Sequence, residues 1–233
     1  MTWWRGHDHR IDMTTTEQKR EKLLQLAKQR QSDRLPPHRT LFEFHNGYYE
    51  CDYVSPWSIS ACNVEAELML IGQDWASSEI LKREPDEERR RTGQHCSSPT
   101  NTNLRGFLEH MQLKFGATYA TNLFPFIKLG AKNAPIPFGD LVRCARTYAI
   151  PQICLGRRTF DAIRNAERLP RLEWTEAKTL GPHTRIGSVE IYGLPHPSPQ
   201  GIINAGGKDA VGRIWERLGK YLRDMRIRDP QRS

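Results

Sequence analysis

From residue 64 onward, short apolar runs alternate with segments whose apolar positions recur every three or four residues. Four of the runs, ELMLIG (67–72), TYATNLF (118–124), PQICLG (151–156) and VEIYGLP (189–195), are short and bounded by turn residues, which predicts buried strands. Between the first two, Leu104, Phe107, Leu108, Met111 and Phe115 follow helical spacing, with Asn101 or Thr102 as the expected cap. GDLVRCARTYA (139–149) and RRTFDAIRNAERL (157–169) predict two further helices. Val211, Ile214, Trp215, Leu218, Tyr221, Leu222 and Met225 define a long final one. Strands alternating with helices require crossover connections, so the expected fold is a three-layer α/β/α sandwich around a central four-stranded, mainly parallel sheet.

The N-terminal part has a different pattern. TTTEQKREKLLQLAKQRQSD (14–33) predicts a basic surface helix, ended by LPPHR. The aromatic stretch TLFEFHNGYYECDYVSPWS (40–58) predicts an irregular wrap, or a short hairpin at Asn46-Gly47, that buries rings on the core. Residues 1–60 are therefore expected as a tail, helix and wrap packed on one domain spanning 61–233. SSEILKREPDEERRRTGQHCSSP (77–99) is densely charged with both signs and predicts a solvated loop.

Composition narrows the function classes. With 233 residues of which 37% are hydrophobic, the chain suits a single core diluted by polar loops. No apolar run approaches the roughly 20 residues that span a bilayer, and the first residues lack the apolar middle of a signal peptide, so a soluble, cytoplasmic protein is expected. The five cysteines form no C-x-x-C pair and the eight histidines no H-x-x-x-H pair, so free thiols and no metal site are expected. A net charge of +8 favours a polyanionic partner, nucleic acid above all.

Parallel sheets bind ligands beyond the carboxyl ends of their strands. There the first predicted strand runs into Gly72-Gln73-Asp74, the second carries Thr121-Asn122, the third ends on Leu155-Gly156 and the fourth leads into His196-Pro197-Ser198-Pro199. Singly, Asp74 reads as a helix cap, Asn122 as a loop-satisfying amide and His196 as a turn residue. Together they place an acid, an amide and an imidazole on one edge.

GQDWA (72–76) and HPSPQG (196–201), with YATNLFPFIK (119–128) between them, resemble the uracil-DNA glycosylase superfamily, whose signatures are a strand followed by G-Q-D-P-Y-H or a variant and a later H-P-S-P. YATNLFPFIK together with FGDLVRCARTYAIPQICLGRRTFDAI looks like its iron-sulfur branch, and SPTNTNLRGFL (98–108) like the DNA-gripping loop of another branch; the likeness covers roughly residues 64–222. It implies a monofunctional glycosylase domain that hydrolyses the N-glycosidic bond of uracil in DNA for base excision repair, as a monomer and without a cofactor. By resemblance, Asp74 orients water and stabilises the sugar cation, and His196 donates to the departing base oxygen. Asn122 pairs with the uracil edge, Gly72 and the backbone of Gln73 help form the pocket, and His95 stands nearest the place of the stacking aromatic. Ser98, Thr100, Ser198 and Gln200 are expected to grip the DNA strand, with Ile202 or Ile203 as the wedge that replaces the flipped base.

Two departures bear on substrate. Trp75 and Ala76 stand where the signature has proline and a thymine-excluding tyrosine, and the four cluster-binding cysteines of the iron-sulfur branch are missing, so no cluster is expected. The alternatives are a glycosylase for hypoxanthine or mismatched thymine, or a catalytically weak member that binds DNA or abasic sites.

Overall fold

The computed structural model describes residues 16–44, 66, 68–83, 87, 98–130, 135–148, 153–174, 184–186 and 189–228. The Asn46-Gly47 hairpin, the rest of the aromatic wrap and His95 lie outside the described residues.

The expected strands form at β2 (Leu68–Gly72), β3 (Thr118–Asn122), β5 (Ile153–Leu155) and β7 (Val189–Leu194), which lie in the order β3-β2-β5-β7 and are all parallel. A fifth strand, β6 (Thr184–Ile186), pairs antiparallel with the outer side of β7. The sequence reading missed it, because three residues give too few alternations to register as a period. From β2 the chain moves outward to β3 and then crosses to the other side of β2 for β5, so the direction of winding reverses between β2 and β5. That reversal opens a crevice at the carboxyl ends of these two strands.

Helices α3 (Pro99–His110) and α7 (Lys208–Arg228) cover one face. Leu104, Phe107 and Leu108 of α3 meet Val211, Trp215 and Leu218 of α7 over Leu68, Leu70, Ile153 and Tyr192. Phe107 stacks on Trp215 with ring centroids 5.7 Å apart. Helices α4 (Phe138–Tyr148) and α5 (Arg157–Ala166) cover the other face, packing Leu141, Cys144, Phe160 and Ile163 against Ile71 and Cys154. The three-layer sandwich expected from the alternation is therefore present. Helix α3 begins earlier than its apolar spacing suggests: Ser98 is the N-cap and Pro99 the first helical residue, in place of a cap at Asn101 or Thr102. Proline at that position has no N–H to leave unsatisfied and a φ already suited to the helix.

Helix α1 (Thr16–Ser32) occupies the expected basic segment. Beyond it, β1 (Arg39–Thr40) pairs antiparallel with β4 (Phe126–Ile127), the continuation of the segment that leaves β3. A small cluster of Leu41, Phe44, Trp75, Leu81 and Ile127 grows around this pair. The start of the charged segment after Asp74 is accordingly less solvated than expected: Ser77, Ser78 and Leu81, at the short helix α2 (Ser78–Leu81), are buried. Among the described residues, no helix is long and apolar enough to cross a membrane.

Candidate active site

Asn122 closes β3 opposite Gly72, the last residue of β2. It is buried, and its Oδ1 lies so close over Gly72 that a Cβ at that position would collide with it. Only glycine leaves room for the amide. The same amide's Nδ2 is buried and has no hydrogen-bond partner. Buried polar groups almost always find partners, and an unsatisfied one costs about 1–3 kcal/mol, so a donor kept in this condition is a candidate for a ligand contact.

Past the strands the two chains continue to pair. Leu123 N–H donates to Gly72 C=O and Phe124 N–H to Gln73 C=O, both at 2.9 Å, which fixes the backbone leading to Asp74. The Asp74 carboxylate has a cation on Oδ2, the ammonium of Lys128, and a long 3.4 Å contact from Gln73 Nε2 on Oδ1. Lys128 follows β4 and is buried, with 8% of its surface exposed. Its own carbonyl accepts from Ser78 N–H at 3.1 Å.

His196 follows β7 and is placed by two glycines. Gly156, at φ 93°, turns the chain after β5 where a Cβ would come within 3.3 Å of His196 Cβ, and a Cβ on Gly201 would collide with the His196 carbonyl. Ser198 N–H donates to His196 Nδ1 at 3.1 Å. Because Nδ1 accepts, the proton of the neutral ring resides on Nε2, leaving that nitrogen as a donor. Burial holds the imidazole below its ordinary pKa, while the Asp74 carboxylate opposes that shift. Asp74 and His196 thus share one electrostatic environment, and the ring is neutral at pH 7.

The loop after His196 is tied to α3 by Asn103 Nδ2, which donates to Pro197 C=O at 3.0 Å. Ser198 caps α6 (Pro199–Asn204), its Oγ accepting from Gly201 N–H at 3.2 Å. Its oxygen is thus engaged in capping, which leaves the O–H as a donor. Ser98 starts α3 with no side-chain capping bond, and Thr100, the second residue of the helix, is partly buried. Gln200 is exposed and bonded to Asn204.

One expectation is corrected. Ile202 points into the α3–α7 core at 8% exposure and is unsuited to enter a duplex, whereas its neighbour Ile203 is 68% exposed. Successive helical residues differ by about 100° in direction, so only one of the pair faces outward. Trp75 is buried with Leu41, Phe44, Leu81 and Ile127. Ala76 is exposed.

Sequence reasoning missed Lys128, Asn103 and Gly201 as site-building residues. It also missed His38, whose ring packs edge-on against Phe124 at 5.1 Å and whose pKa is lowered by burial, with Lys128 adding to the shift and Asp140 opposing it. The last lysine of an apolar run, IK in PFIK, was the one visible signal for Lys128. Among the described residues, no group of three His, Cys, Asp or Glu side chains is arranged to hold a metal ion. No family model matches the chain, and no curated protein matches it.

Proposed function

We propose that the protein is a DNA glycosylase that removes uracil by hydrolysis, leaving an abasic site for base excision repair. The observation that carries this reading is the Asn122 amide, which presents a buried donor lacking a partner beside an acceptor held over Gly72. Uracil O4 complements the donor and N3–H the acceptor. Cytosine offers the inverse pattern and would leave buried groups unpaired, a mismatch that supports large discrimination.

As the C1′–N1 bond lengthens, its electron pair moves onto the base and positive charge grows on the sugar. The His196 Nε2–H is suited to donate to base O2, where the negative charge collects. A water held by Asp74 adds to C1′ on the other side and passes its proton to the carboxylate. Flipping the nucleotide from a duplex costs a few kcal/mol, which a basic surface and the exposed Ile203 help offset.

The test is a uracil-containing oligonucleotide incubated with the protein and a chelator, then treated with alkali. Scission at uracil is expected, reduced about a hundredfold to a thousandfold by Asp74→Asn and by His196→Ala. Intact DNA that remains tightly bound would favour a DNA-binding or abasic-site-binding role. Parallel substrates with hypoxanthine and a G·T mismatch address the pocket left open at Ala76.

A further inference from the structure

We propose that Lys128 forms a Schiff base with C1′ of the abasic sugar, so that the protein cleaves the strand as a lyase in addition to removing the base. The proposal rests on the glycosylase reading for its source of abasic sugar, and it goes past the monofunctional chemistry expected from the sequence.

Two observations lead to it. Lys128 is buried at 8% exposure, which is rare for lysine, and its Nζ contacts Asp74 Oδ2, the carboxylate assigned to the reacting sugar carbon. As a spectator, that ammonium would work against hydrolysis, since a fixed positive charge touching Asp74 cancels the field that should stabilise the sugar cation. As a reactant it has a use, because the proton acceptor that would free its amine is already in contact. Once it has given up that proton, a lysine amine is the nucleophile that forms imines with carbonyl substrates.

The backbone holding this amine is firmly placed. Lys128 C=O accepts from Ser78 N–H at 3.1 Å and Gly130 N–H donates to Ser78 Oγ at 3.2 Å, while Phe126 and Ile127 before it pair with β1, so the segment is held on both sides of the lysine. The four-carbon stem supplies the short reach from Asp74 to a sugar carbon beside it. The side chains of Lys128 and Asp74 retain 9% and 19% exposure, so neither is fully enclosed.

The chemistry balances without an added reactant. Asp74 takes one proton from the ammonium, and the amine adds to the C1′ aldehyde of the ring-opened abasic sugar. The hydroxyl of that adduct leaves as water with the proton from Asp74, giving a protonated imine. The regenerated carboxylate then removes a C2′ proton, and the C3′–O3′ bond breaks, its electron pair leaving with the phosphate. Water hydrolyses the unsaturated imine and restores the lysine.

The experiment uses the full chain and an oligonucleotide with a preformed abasic site, in the presence of sodium borohydride, which reduces an imine to a stable secondary amine. A covalent protein–DNA adduct is expected, mapped to Lys128 by mass spectrometry of its peptides and lost in Lys128→Arg, which keeps a cation for Asp74. Mapping in the unsubstituted protein decides the matter even where the variant fails to fold. No adduct, or one carried by another amine, overturns the proposal. A parallel uracil substrate separates the two ideas: excision without an adduct sinks only the lyase, and an adduct on abasic DNA without uracil excision sinks only the uracil reading.

Discussion

Asn122 is 6% exposed and carries an amide nitrogen with no partner, an arrangement that stability alone would not favour. Removing an unsatisfied buried donor recovers about 1–3 kcal/mol, offset in part by the small cavity left behind. Asn122→Ala should therefore melt no lower than the parent by calorimetry while losing uracil excision; a marked fall in Tm would show that the amide supports the fold instead. His196 yields a pH prediction. Its folded pKa lies below the ordinary 6.5, so the unfolded chain binds a proton that the folded one refuses. Its contribution to stability is complete above about pH 6.5 and is lost as pH falls toward the folded value. The acid limb of activity assigned to His196 should likewise lie below 6.5, and a pH-rate profile whose limb at or above 6.5 vanishes in His196→Gln would contradict the neutral-donor role. Asp74 and His196 stood out in the sequence because each follows an apolar run within two residues of a glycine or proline, and Asn122 because it interrupts such a run. Lys128, Asn103 and Gly201 were not, since their importance lies in contacts with atoms elsewhere in the chain, which no local period encodes.

At the scale of elements, periodicity located the four parallel strands and the helices on both faces. It failed where an element was short or its role depended on direction. Helix α6 spans six residues, Pro199–Asn204, too few for a helical stripe to separate Ile202 from Ile203 before the structure is seen. Ile202→Ala should cost about 2–5 kcal/mol in denaturant unfolding, as expected for a truncated core residue. Ile203→Ala should leave stability within about 0.5 kcal/mol. The same variant should slow excision from duplex DNA more than from single strands, because only the duplex needs a wedge; equal slowing on both substrates would remove Ile203 from that role. Trp75 teaches a related point. It directly follows Asp74 in GQDWA, yet a large indole is drawn into whatever apolar cluster lies within reach, and β1 and β4 supply one.

For the molecule as a whole, one sheet joins two apolar layers, and cysteine serves as a reporter for one of them. Cys144 on α4 and Cys154 on β5 are buried in the same layer. Burial pushes the Cys144 thiol up to about 12, and that of Cys154 is raised for the same reason. Thiols in this condition are poor nucleophiles. Peptides bearing these two residues should stay unalkylated in native protein at pH 8 and become labelled together across the unfolding transition, as a cooperative core requires. Labelling of Cys154 well before Cys144 would mean that the layer opens in parts. The fold class was legible because it follows from the alternation of two periods along the chain. The participation of β1 was not, because two residues that pair with a strand far along the chain leave no pattern of their own.

Gly72 and Asn122 face each other across β2 and β3 in parallel register. A slip of one residue would turn the amide to the opposite side of the sheet, and any side chain at 72 would evict it. The two positions are therefore a single heritable character. A lineage or a designer can retain both, or can exchange both for a pocket that reads a different ligand, but a change at one alone leaves the other without its purpose.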